Sequence, residues 1–227
     1  MNKCLLCQNY LSNQVTIGWL LSLAPSVNSV ICNKCQNRFN RLADQPTCTS
    51  CNKLGIESED CEDCLEWQAK TDFQFVNHSL YQYNVAMKEF MHRYKFVGDY
   101  QLRTVFAAEL SESATASGRV IVPIPLTPIT LQRRGFNQTL GLLQVQTIEC
   151  LLTKNHQKNI DQSQRGRDQR KAMEQPFIVD PKLIGRIAQR DVLIVDDVYT
   201  TGTTIRFAAR LLIENGAKSV QGLTLAR

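Results

Sequence analysis

Eight of the nine cysteines in this 227-residue chain fall in four C-x-x-C units: Cys4/Cys7, Cys32/Cys35, Cys48/Cys51 and Cys61/Cys64. A C-x-x-C unit presents two thiolates from one tight turn, so two units complete one tetrahedral Cys4 zinc site and four units complete two structural sites. The simplest pairing joins neighbours, 4/7 with 32/35 and 48/51 with 61/64; spacing alone leaves a crossed pairing open. Disulfides, redox dithiols and iron–sulfur ligation are the competing readings. Disulfides suit an oxidising compartment, redox motifs rarely come in fours, and iron–sulfur clusters usually use other spacings. Structural Zn2+ is the expectation, with residues 1–70 as a double zinc ribbon. So short a segment cannot stabilise itself by apolar burial alone, and the metal supplies the missing folding free energy. Cys150 stands apart and reads as a buried thiol.

The remainder has the composition of a globular protein, with 43% hydrophobic residues overall. Between Lys3 and Lys34 no charge appears, but Gln8, Asn9, Ser12, Asn13, Gln14, Pro25, Ser26 and Asn28 break that run. Neither a membrane span nor a signal peptide is expected, and the cytoplasm is the default location. The net charge of +5 is uneven, with residues 71–227 carrying twenty Lys/Arg against fourteen Asp/Glu. The excess gathers at Lys88, Arg93 and Lys95, at Arg133 and Arg134, and at Arg165, Arg167, Arg170 and Lys171. Such clusters suit a polyphosphate or a nucleic-acid backbone, although solvated surface charge gives the same pattern.

From Asp72 onward, periodicity predicts strands over 73–83, 119–125 and 192–198 and at the C-terminal "SVQGLTLAR". Helices are predicted over 84–96, about 100–113, about 138–153 and 203–217. Residues 155–175 are polar, basic and aperiodic, and read as an exposed flexible loop. No internal repeat is apparent. Strands alternating with helices imply an α/β fold, a parallel sheet with helices on both faces formed by residues 71–227. Ligands of such sheets sit at the carboxyl ends of the strands.

One of those ends is "VLIVDDVYTTGTT", residues 192–204. Four aliphatic residues run into Asp196 and Asp197; after Val198 and Tyr199 come Thr200, Thr201, Gly202, Thr203 and Thr204. A small, hydroxyl-rich loop between a strand and a helix offers backbone N–H groups and the positive end of the helix dipole, which together cradle a phosphate. Adjacent carboxylates disfavour a phosphate but accept hydrogen bonds from a neighbouring diol, directly or with Mg2+ nearby. The combination asks for a sugar phosphate. It is not a P-loop, which needs G-x-x-x-x-G-K-[ST].

That stretch resembles the 5-phosphoribosyl-1-pyrophosphate (PRPP) signature of type I phosphoribosyltransferases. With "YKFVGD" (94–99), "VPIPLTP…RRGFNQ" (122–138) and the four C-x-x-C units, the whole chain resembles the ComF family of late competence proteins. The resemblance implies a phosphoribosyltransferase-like sheet in which Asp196 and Asp197 hold ribose hydroxyls and Thr200–Thr204 wrap the 5′-phosphate. Pro123, Ile124, Pro125 and Leu126 would face the pyrophosphate, beside Arg133, Arg134, Asn137 and Gln138. Lys95 would bring a cation to the site or pair with Asp99. Two departures matter. Met173 stands where Asn is usual near the end of the flexible loop, and Thr200 stands where purine-salvage enzymes carry an Asp able to act as general base.

The family implies a cytoplasmic factor handling incoming single-stranded DNA during natural transformation, with a PRPP or nucleotide-phosphate pocket. The alternatives are a phosphoribosyltransferase with an unknown acceptor, or a zinc-ribbon adaptor between a DNA translocase and recombination proteins. Trp19, Phe39 and Trp67 are candidates for base stacking, though aromatics in so small a segment also serve as core.

Overall fold

The computed structural model describes residues 3–11, 29–43, 45–56, 59–154 and 175–227. Trp19, the basic run Arg165, Arg167, Arg170 and Lys171, Met173 and nearly all of the 155–175 loop lie outside them. The helices are α1 (Asn33–Gln36), α2 (Glu62–Gln68), α3 (Val85–His92), α4 (Ala107–Ala116), α5 (Pro128–Arg134), α6 (Gln138–Gly141), α7 (Ile184–Ile187) and α8 (Thr203–Glu214). The strands are β1 (Asn77–Tyr81), β2 (Val120–Pro123), β3 (Leu151–Thr153), β4 (Phe177–Val179), β5 (Asp191–Val198) and β6 (Ser219–Ala226).

Four strands form a parallel sheet in the order β1-β6-β5-β2. The apolar run of β5 places it between β6 and β2, where both faces are buried. Its side chains alternate between two cores. Leu193 and Val195 join α3 and α4 through Met87, Phe90, Met91, Phe106 and Leu110. Val192 and Ile194 join α8 through Ile205, Ala208, Ala209 and Leu212. Helices thus cover both faces, as expected of a phosphoribosyltransferase-type sheet. α8 stops where Gly216 takes φ +91° and Ala217 donates its N–H to the Leu212 carbonyl, a left-handed turn that glycine makes at least cost.

Each cysteine cluster belongs to a different core. Cys4 and Cys35 pack with the α3/α4 face, whereas Cys48, Cys51, Cys61 and Cys64 pack with the α8 face. The chain between them runs along the outer edge of β1. Leu42 N–H donates to the Leu80 carbonyl, Gln82 N–H to Asn40, Asn77 N–H to Ser50, and Ser79 N–H to the Asn52 side chain. These bonds satisfy an edge strand that would otherwise offer itself to other chains.

Three helices differ from the sequence expectation, the one over about 100–113 being a 3-10 helix over Tyr100–Val105 and α-helical only from Ala107. The 84–96 helix is α-helical only to His92; Arg93–Val97 widen into one π turn, ended by Gly98 at φ +78°. The helix expected over 138–153 is the single turn α6, and Leu151–Thr153 instead pair antiparallel with Phe177–Val179. Leu151, Phe177 and Val179 are all buried there. A partner strand two dozen residues away overrides a local helical period, because the tertiary pairing buries more apolar surface.

Candidate functional site

The two cysteine clusters are built alike. Cys4 N–H bonds to the Asn9 carbonyl and Gln8 N–H to Cys4; the same offsets recur as Cys48 to Lys53 and Asn52 to Cys48. Gln8 and Asn52 both take a positive φ, 62° and 57°. The second half of each cluster comes from a helix start, with Cys32 before α1 and Cys61 before α2. This repeated turn is invisible in the side-chain sequence, where only the cysteines correspond.

The donor atoms of Cys4, Cys7, Cys32 and Cys35 lie within 4.8 Å of one another, as do those of Cys48, Cys51, Cys61 and Cys64. The neighbouring pairing therefore holds, and the crossed one does not. Sulfur–sulfur separations are 3.7 Å for Cys7–Cys32, 3.8 Å for Cys48–Cys64 and 3.6 Å for Cys51–Cys61. A zinc tetrathiolate with bonds of about 2.3 Å has tetrahedral edges of about 3.8 Å, whereas a disulfide bond is about 2.05 Å. Backbone N–H groups point at the sulfurs, Cys32 to Cys4 and Cys61 to Cys48, each at 3.3 Å. Both quartets fit Zn2+.

At the other candidate centre, β5 delivers its two acids in opposite directions, as strand alternation requires. Asp196 is half-buried. Its Oδ1 accepts from the Thr139 hydroxyl at 3.3 Å and from the Asp197 N–H at 2.8 Å. Burial, and next the Asp197 carboxylate, push Asp196 up to about 7. Beyond it, Val198, Tyr199, Thr200, Gly202, Thr203, Thr204 and Thr224 line about 250 Å³ of open space at the start of α8. Gly202 is at φ +76°, and a Cβ there would fall 2.0 Å from the Tyr199 hydroxyl. Only glycine fits. The Thr201 and Thr203 hydroxyls lie 2.9 Å apart at the start of α8.

Asp197 turns inward to Lys95, with Nζ to Oδ2 at 2.5 Å and side chains only 6% and 15% exposed respectively. Lys95 reaches this position from the π turn. Asp99, the other partner considered for it, is held by Arg93 at 2.7 Å instead. Replacing Lys95 with Met is expected to cost about 3 kcal/mol, because a buried carboxylate loses its counter-charge. Adding Asp197→Asn should recover most of that loss in urea unfolding. A double variant no more stable than Lys95→Met alone would mean the ion pair is not the source of the cost.

A family model described as a phosphoribosyl transferase domain matches residues 151–227. Competence protein ComFC of Streptococcus pneumoniae is 36% identical over 226 residues, spanning 99% of this chain and all of that protein. Competence protein ComFC of Bacillus subtilis is 32% identical over 99% of this chain and 94% of its own length. The chain belongs to the ComFC family. A more distant relative, the DNA utilization protein YhgH of Escherichia coli, is 26% identical over 87% of this chain and 90% of its own.

In this ComFC-family chain the remaining residues singled out from the sequence lie in two places. Pro123–Leu126 leave β2 beside the acids: Pro123 pairs with Val195, and Ile124 N–H donates to the Val195 carbonyl at 2.9 Å. Asn137 caps α6 through its Oδ1 and sends its amide to the Ile124 carbonyl at 3.4 Å. Arg134 donates to the buried Gln138 amide at 2.7 Å and lies over the Phe96 ring, 5.3 Å from its centroid. Arg133 is exposed. In the 88–95 group, Arg93 also donates to the Leu5 and Leu6 carbonyls and so ties down the first cysteine turn. With Lys95 committed to Asp197, Lys88 is the exposed cation of that group.

Four contributors carried no signal in the sequence: Thr139, Thr224, Arg206 and Arg227. Thr224 sits opposite Asp196 in the β5–β6 register. Arg227 donates to the Thr200 carbonyl at 3.0 Å and lies 4.6 Å above the Tyr199 ring. Their roles depend on which elements pack beside β5 and its loop, and no local pattern records that. Phe39 is core, edge-on to Phe106 at 5.0 Å.

Proposed function

We propose that this chain is a competence factor that handles single-stranded DNA and carries a pocket for PRPP or a related ribose phosphate. One observation carries the pocket reading: a half-buried carboxylate, Asp196, faces a threonine-lined cavity at the start of the twelve-residue helix α8. In this reading the N–H groups and hydroxyls of Thr200–Thr204 take the 5′-phosphate. Asp196 accepts from the ribose hydroxyls with Mg2+ in attendance. Asp197 stands behind it, its charge balanced by Lys95. Pro123–Leu126 and Arg133, Arg134, Asn137 and Gln138 border the pyrophosphate side. Residues 1–70 serve as the zinc-bearing part and residues 71–227 as the phosphoribosyl part.

The competence role is carried over from the names of the two ComFC relatives, and work on DNA from the name of the YhgH relative. It agrees with the basic excess of residues 71–227. A cytoplasmic setting, alongside a DNA translocase and recombination proteins, fits that role. Among the described residues no helix is long and apolar enough to cross a membrane.

Isothermal titration with PRPP and Mg2+ tests the pocket, and saturable one-to-one binding is the expected result. Pyrophosphate released on adding candidate acceptors would favour the transferase reading instead, the function that the matched family model names. DNA handling is tested by a salt series. Each phosphate neutralised on a single strand contributes about −0.7 to the slope of log K against log salt. Changing Arg165, Arg167 and Arg170 together to Ala is therefore expected to weaken binding and to flatten the slope by about 2. Affinity that does not vary with salt would sink the DNA-handling reading.

A further inference from the structure

Arg206 is, among the described residues, a buried cation without a carboxylate. Its exposure is 4%, and among the described residues no Asp or Glu lies within ion-pair distance of it. A guanidinium cannot remain buried without a counter-charge or a full set of acceptors. Its neighbours identify the counter-charge. Nη2 donates to the Cys64 sulfur at 3.3 Å, and the guanidinium lies over the Trp67 and Phe75 rings at 5.6 and 5.3 Å. Cys64 and Trp67 both come from α2, which helps to build the second cysteine cluster. Four thiolates around one Zn2+ leave a net charge of about −2. That cluster is the anion Arg206 faces.

The other edge of the guanidinium faces the loop. Nε donates to the Tyr199 hydroxyl at 3.1 Å. That hydroxyl rests on the Cα side of Gly202, where an added Cβ would come within 2.0 Å of it. Tyr199 N–H is itself bonded to the Ala226 carbonyl, and Arg206 N–H to Gly202. One side chain therefore spans from a cluster sulfur to the residue on which the 199–204 loop is folded. The first cluster lies in the other core, across the sheet, and among the described residues none of its sulfurs is hydrogen-bonded to a residue of the 199–204 loop.

We propose that Arg206 is a positioning residue that couples metal binding at Cys48, Cys51, Cys61 and Cys64 to the conformation of the 199–204 loop. With the metal in place, the tetrathiolate holds the guanidinium, the guanidinium holds the Tyr199 hydroxyl, and the loop keeps its N–H groups aimed at the cavity. By reciprocity, an anion on the loop tightens the metal, because coupling between two sites is the same in both directions. The last step rests on the phosphate reading of the loop; the first does not.

The test is hydrogen exchange of the 200–205 amides in the ligand-free full-length chain, with zinc content measured on each sample. Emptying the second cluster with Cys48→Ser and Cys61→Ser is expected to speed their exchange about tenfold, the worth of one charged hydrogen bond. Emptying the first with Cys4→Ser and Cys35→Ser should leave them unchanged wherever the chain stays folded. If the doubly substituted chains fold poorly, Arg206→Gln and Tyr199→Phe decide the matter. Both should loosen the loop with both metals still bound. In Tyr199→Phe the 200–205 amides should speed up more than the core amides of β5 and β6, which a general loss of stability would not produce. A second readout is zinc release to a chelator with and without PRPP and Mg2+. PRPP is expected to slow release from the second cluster alone, and Tyr199→Phe to abolish that protection. Unchanged 200–205 exchange in a folded Arg206→Gln chain, or in a chain shown to lack only the second metal, overturns the proposal. A parent chain that fails to bind PRPP removes the pocket reading, while the ligand-free exchange comparison still decides the coupling.

Discussion

Stripping zinc from this chain is expected to collapse both faces of the sheet, not merely to loosen its first seventy residues. Cys4, Cys48 and Cys51 are fully buried, and the two quartets sit in separate cores beside Met87 and Phe106 on one side and Ile194 and Leu212 on the other. Structural zinc contributes roughly 10–16 kcal/mol of apparent binding free energy in isolated fingers. A whole domain has only about 5–15 kcal/mol of net stability. Losing two such sites exceeds what the remaining apolar burial can offset. Four thiolates without metal would moreover repel one another or take up protons in a space shaped for tetrahedral contact. Elemental analysis under reducing, metal-replete conditions should give about two zinc ions per chain. Chelation should abolish near-ultraviolet dichroism and expose dye-binding surface. A chelated chain that keeps its native dichroism would show that the quartets are not metal-dependent supports.

Much of this arrangement is legible in the sequence. The β5–loop–α8 unit reads directly from "VLIVDDVYTTGTT", because a two-face buried strand, a glycine turn and a helix start each leave a local mark. Neighbouring C-x-x-C units pair as the shortest chain connection suggests. What escaped was everything set by distant partners. Lys95 has Asp99 four residues away, yet its carboxylate is Asp197, brought close by the π turn and by β5. Leu151–Thr153 lost a helical reading to a strand pairing beyond their window. The repeated cysteine turn escaped because it is a repeat of backbone angles at Gln8 and Asn52, whose side chains share only a polar amide. Arg206 reads as one more helix residue until the thiolate cluster is placed beside it.

Replacing Asp196 with Asn should separate ligand affinity from stability, moving them in opposite directions. The carboxylate is the acidic group lining the cavity, and two ribose hydroxyls hydrogen-bonded to a charged acceptor contribute roughly 1.5 kcal/mol each or more. PRPP affinity is therefore expected to fall about a hundredfold in isothermal titration. The ligand-free chain should gain stability. Asp196 titrates at about 7 in the fold, against a usual value of 3.8. Between those values the folded state binds more protons than the unfolded one, so this group's contribution declines as pH rises through that window and is fully lost above it. Asn carries no such penalty. The gain should be on the order of 2 kcal/mol above neutrality, allowing for the group's partial exposure, and should vanish near about pH 4. The same ionisation makes PRPP binding by the parent chain stronger above neutrality than about one pH unit below it, and the variant should lose that dependence. Asp197→Asn is the control with the opposite sign in stability, because it leaves Lys95 buried without its partner. A folded Asp196→Asn chain that binds PRPP as tightly as the parent would take the ribose role away from this acid, leaving its raised titration a property of the sheet alone.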